Sequence, residues 1–211
     1  PQAYYQAYDC GADHIYVITI SALLSGSYQS ADIARKMYLE NHPDTRIHIF
    51  NSCSTSVAET IIAVKITEME EEGASFDEIV EKVENYIVEK KTYFTLDNLE
   101  TLRKSGRLSN LKALTASVLR IKPICCGTTE GTIRELDKAR GTTKALIKMA
   151  SHAARMAIDP ANKILGIAHV RCPERAELVK KVILEKVKVK DVIIQKTGGL
   201  STTYANDGGI I

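Results

Sequence analysis

The feature that most constrains the fold is a short β-branched run that leads directly into a loop of serine and glycine. Residues 14–20 read HIYVITI, a run too short for a helix, and its composition predicts a buried strand. Residues 21–27 read SALLSGS, and helical spacing begins near Tyr28. A strand, a loop and a helix in this order are typical of a parallel sheet covered by helices.

The same alternation continues along the chain. Strands are predicted at 46–50, 92–96, 163–170 and 191–196, and helices at 56–72, 75–87, 142–156 and 174–187, with a further helix through Leu111, Leu114 and Val118. Residues 121–136 differ, because IKPICCGTTEGTIREL predicts a hairpin whose turn is rich in glycine and threonine. The final residues, 208–211, resemble the opening of one more strand.

These elements predict an α/β protein of two domains. Residues 1–119 are expected to form a parallel sheet flanked by helices. Residues 120–211 are expected to form a second α/β domain with a mixed or antiparallel sheet, since antiparallel pairing begins close after Arg120.

Charge and composition exclude several classes of function. Lys and Arg number 28 against 26 Asp and Glu, a net charge of +2, which argues against a general nucleic-acid binder. The apolar runs fall well short of the roughly 20 residues of a membrane-spanning helix, so we expect a soluble protein with at most transient membrane contact. Five cysteines without CxxC spacing indicate a reducing cytoplasm, and five histidines without i, i+4 pairing indicate no metal site.

The loop from Ser21 to Ser27 is the candidate binding site. In a parallel sheet, ligands bind just beyond the carboxyl ends of the strands, and a helix N-terminus there offers N–H groups and a positive dipole end. Together with serine hydroxyls, these groups suit a carboxylate or a phosphate. The alternative is purely structural, with Ser25 or Ser27 capping the helix and Gly26 permitting the turn. The phosphate-binding patterns GxxxxGK[ST] and GxGxxG are absent from the sequence.

Four motifs, in order along the chain, resemble those of the DegV family. They are TISALLSGSYQSA at 19–31, LETLRKSGRLS at 99–109, LRIKPI at 119–124, and the pattern Lys138, Arg140, Lys144 and Ala145, from which Thr143 departs. The resemblance extends over essentially the whole chain. It implies a two-domain α/β fold that binds one long-chain fatty acid in a buried pocket. It also implies a non-catalytic role, without a cofactor, in which the protein presents the fatty acid's carboxylate to a partner fatty acid kinase.

The resemblance assigns roles to particular residues. Ser21, Ser25 and Gly26 are expected to bind the fatty-acid carboxylate, together with Tyr204. The basic residues Arg107, Lys138, Arg140 and Lys144 are expected to dock the kinase. The alternative for these four residues is that they are solvated surface charges and that residues 106–109 only cap the helix that follows. The alternative is an enzyme, a kinase or an esterase, that acts on a small anion at the same loop.

Three positions depart from the family's pattern. Ala22 stands where a second serine is common, Asn51 replaces an aspartate, and Tyr204 replaces a histidine in the late His-x-Gly-Pro-Gly motif. A tyrosine can donate a hydrogen bond but cannot carry a positive charge, so carboxylate affinity or its pH dependence is expected to differ. Pro1 matches the proline of the family's Thr-Ser-Gln-Pro segment, which implies that a first strand and one wall of the head-group site precede this sequence.

Overall fold

The computed structural model describes residues 2–108 and 121–211, and their contacts divide the chain into two compact units. The first unit holds the residues up to Thr55, Glu59–Lys90 and Thr129–Gly131. The second unit holds the described remainder. Arg120, where the domain boundary is predicted, lies outside the described residues, as does the helix predicted through Leu111, Leu114 and Val118.

The first unit contains two parallel strands and four helices. They are α1 (Gln2–Asp9), β1 (His14–Thr19), α2 (Ser27–Leu39), β2 (Arg46–Asn51), α3 (Val57–Glu71), which belongs to this unit from Glu59 on, and α4 (Phe76–Glu89). β1 and β2 pair in register from His14 opposite Arg46 to Thr19 opposite Asn51. The loops that follow both strands therefore leave the sheet at the same edge.

Side chains alternate between the two faces of this pair, as the period of a strand requires. Ile15 and Ile47 pack with Tyr4 of α1 and Tyr38 of α2. On the opposite face, a second cluster unites β2 with α3 and α4, and its members are Phe50, Ile62, Ile66, Met69, Ile79, Val83 and Ile87. Both faces of the sheet are covered, which explains why apolar side chains occupy both sides of its strands.

The second unit contains a mixed arrangement of strands. Its elements are β3 (Tyr93–Phe94), α5 (Glu100–Lys104), β4 (Ile121–Gly127), β5 (Ile133–Arg140), α6 (Thr142–Met156), a 3₁₀ turn (Pro160–Asn162), β6 (Ile164–His169), α7 (Pro173–Leu184), β7 (Asp191–Lys196) and α8 (Gly199–Ala205). β3, β4 and β5 are antiparallel, whereas β6 and β7 are parallel. Ile210 bridges Thr95 and His169, so the last residues act as a strand between the two sheets.

The α/β fold with a parallel sheet and an antiparallel sheet is confirmed. The hairpin, α6 and β7 lie where the sequence predicts them. The strand at 92–96 is a correction, because Tyr93 and Phe94 pair antiparallel with Cys126 and Cys125 instead of extending the first parallel sheet. Three helices, α1, α5 and α8, have no counterpart in the prediction. All three are short, at 8, 5 and 7 residues, and α8 follows Gly198, which has no side chain that could form a recognisable cap.

Candidate functional site

Ser21 begins the loop after β1 and is completely buried. Its N–H donates to the Ser54 carbonyl at 2.8 Å, and its hydroxyl donates to the Gly131 carbonyl at 2.7 Å. The Ser21 oxygen also accepts from the Leu23 N–H at 3.2 Å. The hydroxyl therefore has a structural role in this state, because its single proton is committed to Gly131.

Gly131 lies in the turn between β4 and β5 and packs directly on Ser21. Its φ is +89°, a conformation that only glycine adopts without strain, and a Cβ at this position would overlap the Ser21 oxygen and lie 3.0 Å from the Cα of Cys53. The turn from Thr129 to Gly131 therefore forms a close-fitting wall of the loop, with no room for a side chain at Gly131.

Asn51 ties together the two loops that leave the sheet edge. Its side-chain oxygen accepts from the Ala22 N–H at 3.1 Å and from the Cys53 N–H at 3.2 Å. Both interactions need an acceptor and neither needs a charge. An asparagine in place of the family's aspartate therefore keeps this architecture while removing a negative charge beside the candidate anion site.

The N-terminus of α2 has no cap from its own N-cap residue. Gly26 precedes the helix and has no side chain with which to cap it, while the Ser25 oxygen accepts from the Ser27 N–H at 3.2 Å. The Ser27 hydroxyl oxygen is buried and has no hydrogen-bond partner among the described residues. A buried hydroxyl without a partner is uncommon in proteins and calls for an explanation. Ser25 and Ser27 are thus the hydroxyls of this loop that remain able to donate to a ligand oxygen.

The predicted docking residues all lie in the second unit and are exposed. Lys138 and Arg140 lie two positions apart on β5, Lys144 lies in the first turn of α6, and Arg107 follows α5. The Arg107 guanidinium donates to the Ser105 carbonyl at 2.5 Å. Within the described ranges, the side chains of Lys138, Arg140 and Lys144 form no ion pair, so their charges face solvent.

Comparison with known proteins identifies the family. From residue 1 to residue 210, the chain matches the family model described as an uncharacterised protein of the DegV family. This chain belongs to the DegV family. The resemblance inferred from the four sequence motifs is thereby confirmed.

Three solved DegV structures are similar to this chain. A Ruminococcus gnavus protein of the family, refined with vaccenic acid, shares 50% identity over 100% of this chain and 75% of its own, with a TM-score of 0.94. A Eubacterium eligens protein loaded with heptadecanoic acid shares 34% identity over 94% of this chain and 71% of its own, with a TM-score of 0.86. The Streptococcus pneumoniae fatty acid kinase (Fak) B3 protein, loaded with linoleic acid, shares 31% identity over 100% of this chain and 74% of its own, with a TM-score of 0.87.

The structure brings three of the four predicted head-group residues of this DegV chain together. Ser21, Ser25 and Gly26 lie in one loop of the first unit, and Tyr204 lies on α8 of the second unit, where it is half-buried. Sequence reasoning passed over Ser27, which it considered only as a helix cap. The signal it lacked is the unsatisfied hydroxyl, which becomes visible only once the neighbouring chain is in place.

Metal binding and membrane insertion find no support in the parts of the DegV chain that the structure describes. Those parts hold no group of three or more His, Cys, Asp or Glu side chains suited to a metal ion. None of the helices in residues 2–108 and 121–211 is both long and apolar enough to cross a membrane. Burial raises the pKa of the Cys53 thiol, which lies beside the loop, so this cysteine is protonated at neutral pH and is a poor nucleophile.

Proposed function

We propose that this chain binds one long-chain fatty acid and presents its carboxylate to a partner fatty acid kinase, without catalysing the transfer itself. The observation that carries the proposal is the buried Ser27 hydroxyl without a partner among the described residues, next to the Ser25 hydroxyl at the start of α2. Two donors and a helix N-terminus suit a carboxylate. The bound fatty acids named for the three similar DegV structures support this choice of anion.

Each residue of the loop has a separate role in this proposal. Ser25 and Ser27 donate to the carboxylate, and Gly26 lets the ligand approach the helix start. Ser21 shapes the loop through Gly131 and joins the head-group contacts only if its hydroxyl turns away from that carbonyl. Tyr204 is kept as a proposed further donor because the family resemblance assigns it to the carboxylate. Most of the affinity comes from the acyl chain, at roughly 0.8 kcal/mol for each buried methylene.

The test of binding is mass spectrometry of the purified, denatured protein. We expect one fatty acid per chain in the wild type. A Ser25→Ala/Ser27→Ala double variant should weaken binding by about 1.5 to 3 kcal/mol for each hydrogen bond to the charged group that is lost. Ser30→Ala is the matched control, because Ser30 is an exposed serine of the same helix. Equal affinity in the double variant and the control would remove Ser25 and Ser27 from the site.

The kinase partnership is supported by the similarity to the S. pneumoniae fatty acid kinase (Fak) B3 protein and by the exposed basic groups Lys138, Arg140 and Lys144. Charge reversal, Arg140→Glu, should slow turnover by a fatty acid kinase most strongly at low salt and leave fatty-acid retention unchanged. Lys188→Glu is the control, since Lys188 is an exposed lysine of the same unit outside the four predicted docking residues. Identical turnover of both variants at low and high salt would refute this docking surface.

The absence of catalysis is tested with the chain alone. Incubation with ATP and a fatty acid should yield no acyl phosphate until a kinase is added. Acyl phosphate formed by the rigorously purified chain would favour the alternative enzyme at the Ser21–Ser27 loop.

A further inference from the structure

One carboxylate of the second unit joins four separate parts of its fold. Asp97 follows β3, and its two oxygens lie 2.7 Å from an Arg175 nitrogen on α7 and 3.0 Å from the Lys122 nitrogen on β4. The Thr142 hydroxyl at the start of α6 donates to the same carboxylate at 3.0 Å. The Arg175 nitrogen that binds Asp97 also donates to the Gly208 carbonyl at 2.6 Å. We call these five residues the Asp97 cluster.

The Asp97 cluster differs from an ordinary surface ion pair. The side chains of Asp97, Arg175 and Lys122 are only 29%, 28% and 23% exposed. Burial by itself would raise the pKa of Asp97, but hydrogen bonds from Arg175, Lys122 and Thr142 outweigh it and lower the pKa below its ordinary value. The carboxylate is therefore charged throughout the neutral range and holds its partners in a defined geometry.

The fourth part that the cluster holds is the turn that leaves α8. Asn206 and Gly208, which form this turn, have positive φ values of 57° and 78°. Arg175 grips the turn at the Gly208 carbonyl, and the Asn206 side-chain amide donates to the carbonyl of Asn98, the residue after Asp97. A Cβ at position 208 would overlap Arg175 and lie 2.5 Å from an Asp97 oxygen. The turn and the Asp97 cluster are therefore closely fitted to each other.

The turn begins at Asn206, directly after the end of α8, and Tyr204 is the second-last residue of that helix. We infer that Asp97 is a positioning residue for Tyr204: through Arg175 and the Gly208 carbonyl it fixes the turn that anchors α8, and with it the tyrosine on that helix. The inference rests on the proposed function, in which Tyr204 donates to the carboxylate. Asp97 itself does not touch the ligand in this scheme.

The first test needs no ligand. The chain contains no tryptophan, so Tyr204→Trp introduces a single fluorescent reporter on α8. In that background, Asp97→Asn should shift the emission to longer wavelength and raise quenching by acrylamide, because the turn is released and the ring becomes more accessible. Asp137→Asn is the matched control: Asp137 lies in the same unit, is 27% exposed, and binds Lys148 and His152 at 2.8 and 2.9 Å, far along the chain from the turn.

Arg175 provides a second variant in case Asp97→Asn destabilises the whole unit. Arg175→Lys keeps the charge but loses the planar guanidinium whose one nitrogen contacts both acceptors, and Arg175→Met loses the charge and both hydrogen bonds. Quenching should therefore increase in the order wild type, Arg175→Lys, Arg175→Met, with circular dichroism showing each chain to be folded. The inference would be overturned if acrylamide quenched Asp97→Asn and Asp137→Asn equally. It would also be overturned if the Arg175 variants did not follow this order.

The second test measures fatty-acid affinity in a double-mutant cycle of Asp97→Asn and Tyr204→Phe. If Asp97 acts through Tyr204, the affinity lost on Asp97→Asn should vanish once the tyrosine hydroxyl is absent. Full additivity would overturn the inference. A Tyr204→Phe variant that binds as well as the wild type would instead remove Tyr204 from the proposed head-group site, and the fluorescence result would still decide whether Asp97 positions α8.

Discussion

The first turns of α2 and α4 are built in opposite ways, although both helices belong to the first unit. Ser75 caps α4 with a reciprocal pair: its oxygen accepts from the Glu78 N–H at 3.4 Å, and the Glu78 carboxylate accepts from the Ser75 N–H at 2.9 Å. α2 instead follows Gly26, and Ser27 keeps a buried hydroxyl without a partner in the described chain. α4 begins with a complete reciprocal cap, whereas, among the described residues, the start of α2 has only the Ser25 contact to the Ser27 N–H and a Ser27 hydroxyl that is not used.

The hydrogen bonds that hold the two helix starts also differ in how far apart their partners lie in the sequence. The α4 cap uses residues three apart, whereas the loop before α2 is shaped by Ser21 bonding to Gly131, 110 positions away, and by Ala22 bonding to Asn51. A local cap stabilises its helix and leaves little for a ligand. A loop held from outside can keep its donors free, because its shape does not depend on satisfying them. This contrast is the physical argument for placing the ligand at α2.

The largest loss of stability should come from disturbing the packing of Gly131 on Ser21. Gly131→Ala places a Cβ against Ser21 and Cys53 in a residue with φ of +89°. Backbone strain of about 1 to 2 kcal/mol and overpacking of about 1 to 3 kcal/mol should together lower the free energy of unfolding by about 2 to 5 kcal/mol. Fatty-acid affinity should fall with it, since Ser21 must move. Chemical denaturation and ligand titration measure the two effects.

Gly141→Ala separates strain from contact. Gly141 has a similar φ of +86°, but a Cβ there meets nothing within 4 Å. This variant should lose only the strain, about 1 to 3 kcal/mol at φ 86° and ψ 151°, and keep its affinity for the ligand. If both variants lose the same stability and the same affinity, the packing of Gly131 on Ser21 has no special role in shaping the loop.

The next effect tests the start of α2 directly. Gly26 has space for a side chain, with nothing within 4 Å of a Cβ. Gly26→Asp should cap α2 and place a negative charge beside the fatty-acid carboxylate, which we expect to weaken binding by about 1 to 3 kcal/mol, roughly ten- to a hundredfold. Stability should stay level or rise, because aspartate is a favoured cap. A ligand titration should therefore show a lower fatty-acid affinity, while a denaturation curve shows equal or higher stability.

Gly26→Asn is the neutral control, of the same size and with a similar capping ability. It should stabilise α2 like the aspartate variant but weaken binding less, and the difference between the two should shrink as salt is added. Equal affinity of the asparagine and aspartate variants would mean that no anion binds at this helix start.

The contrast between the two helices also shows which parts of the molecule the sequence could predict. The Ser75 capping box was predictable, because serine three residues before glutamate carries the signal by itself. The position of the Ser21–Ser27 loop at the end of a strand was predictable, because the run before it has the composition of a strand. The hydrogen bond from the Ser21 hydroxyl to the Gly131 carbonyl was not predictable, because the acceptor is a backbone group from a turn that is distant in sequence.

The same reasoning explains the misplaced strand. Tyr93 and Phe94 have the composition of a strand, and composition gives no information on which neighbour a strand pairs with. The alternation of strands and helices before them favoured the parallel sheet. Their pairing with β4 follows from tertiary packing, in which Tyr93 joins the core around Ile124 and Leu146.

The smallest effect should come from the capped start of α4. Ser75→Ala removes the α4 cap and should lower the free energy of unfolding by about 1 kcal/mol, without a change in fatty-acid affinity. Ser75→Thr keeps a hydroxyl and should behave nearly as the wild type. Hydrogen bonds from the Ser75 hydroxyl and N–H lower the pKa of Glu78.

A carboxyl with a lowered pKa contributes stability that is present above its unfolded-state pKa and is lost as the pH falls through the folded-state value. The difference in unfolding free energy between the wild type and Ser75→Ala should therefore be constant near neutral pH and shrink as the pH falls below about 4, the ordinary range for glutamate. A difference that persists unchanged under acid would mean that Glu78 takes no part in the cap. A loss of fatty-acid affinity in Ser75→Ala would mean that the two helix starts are not independent, and the contrast between them would fail.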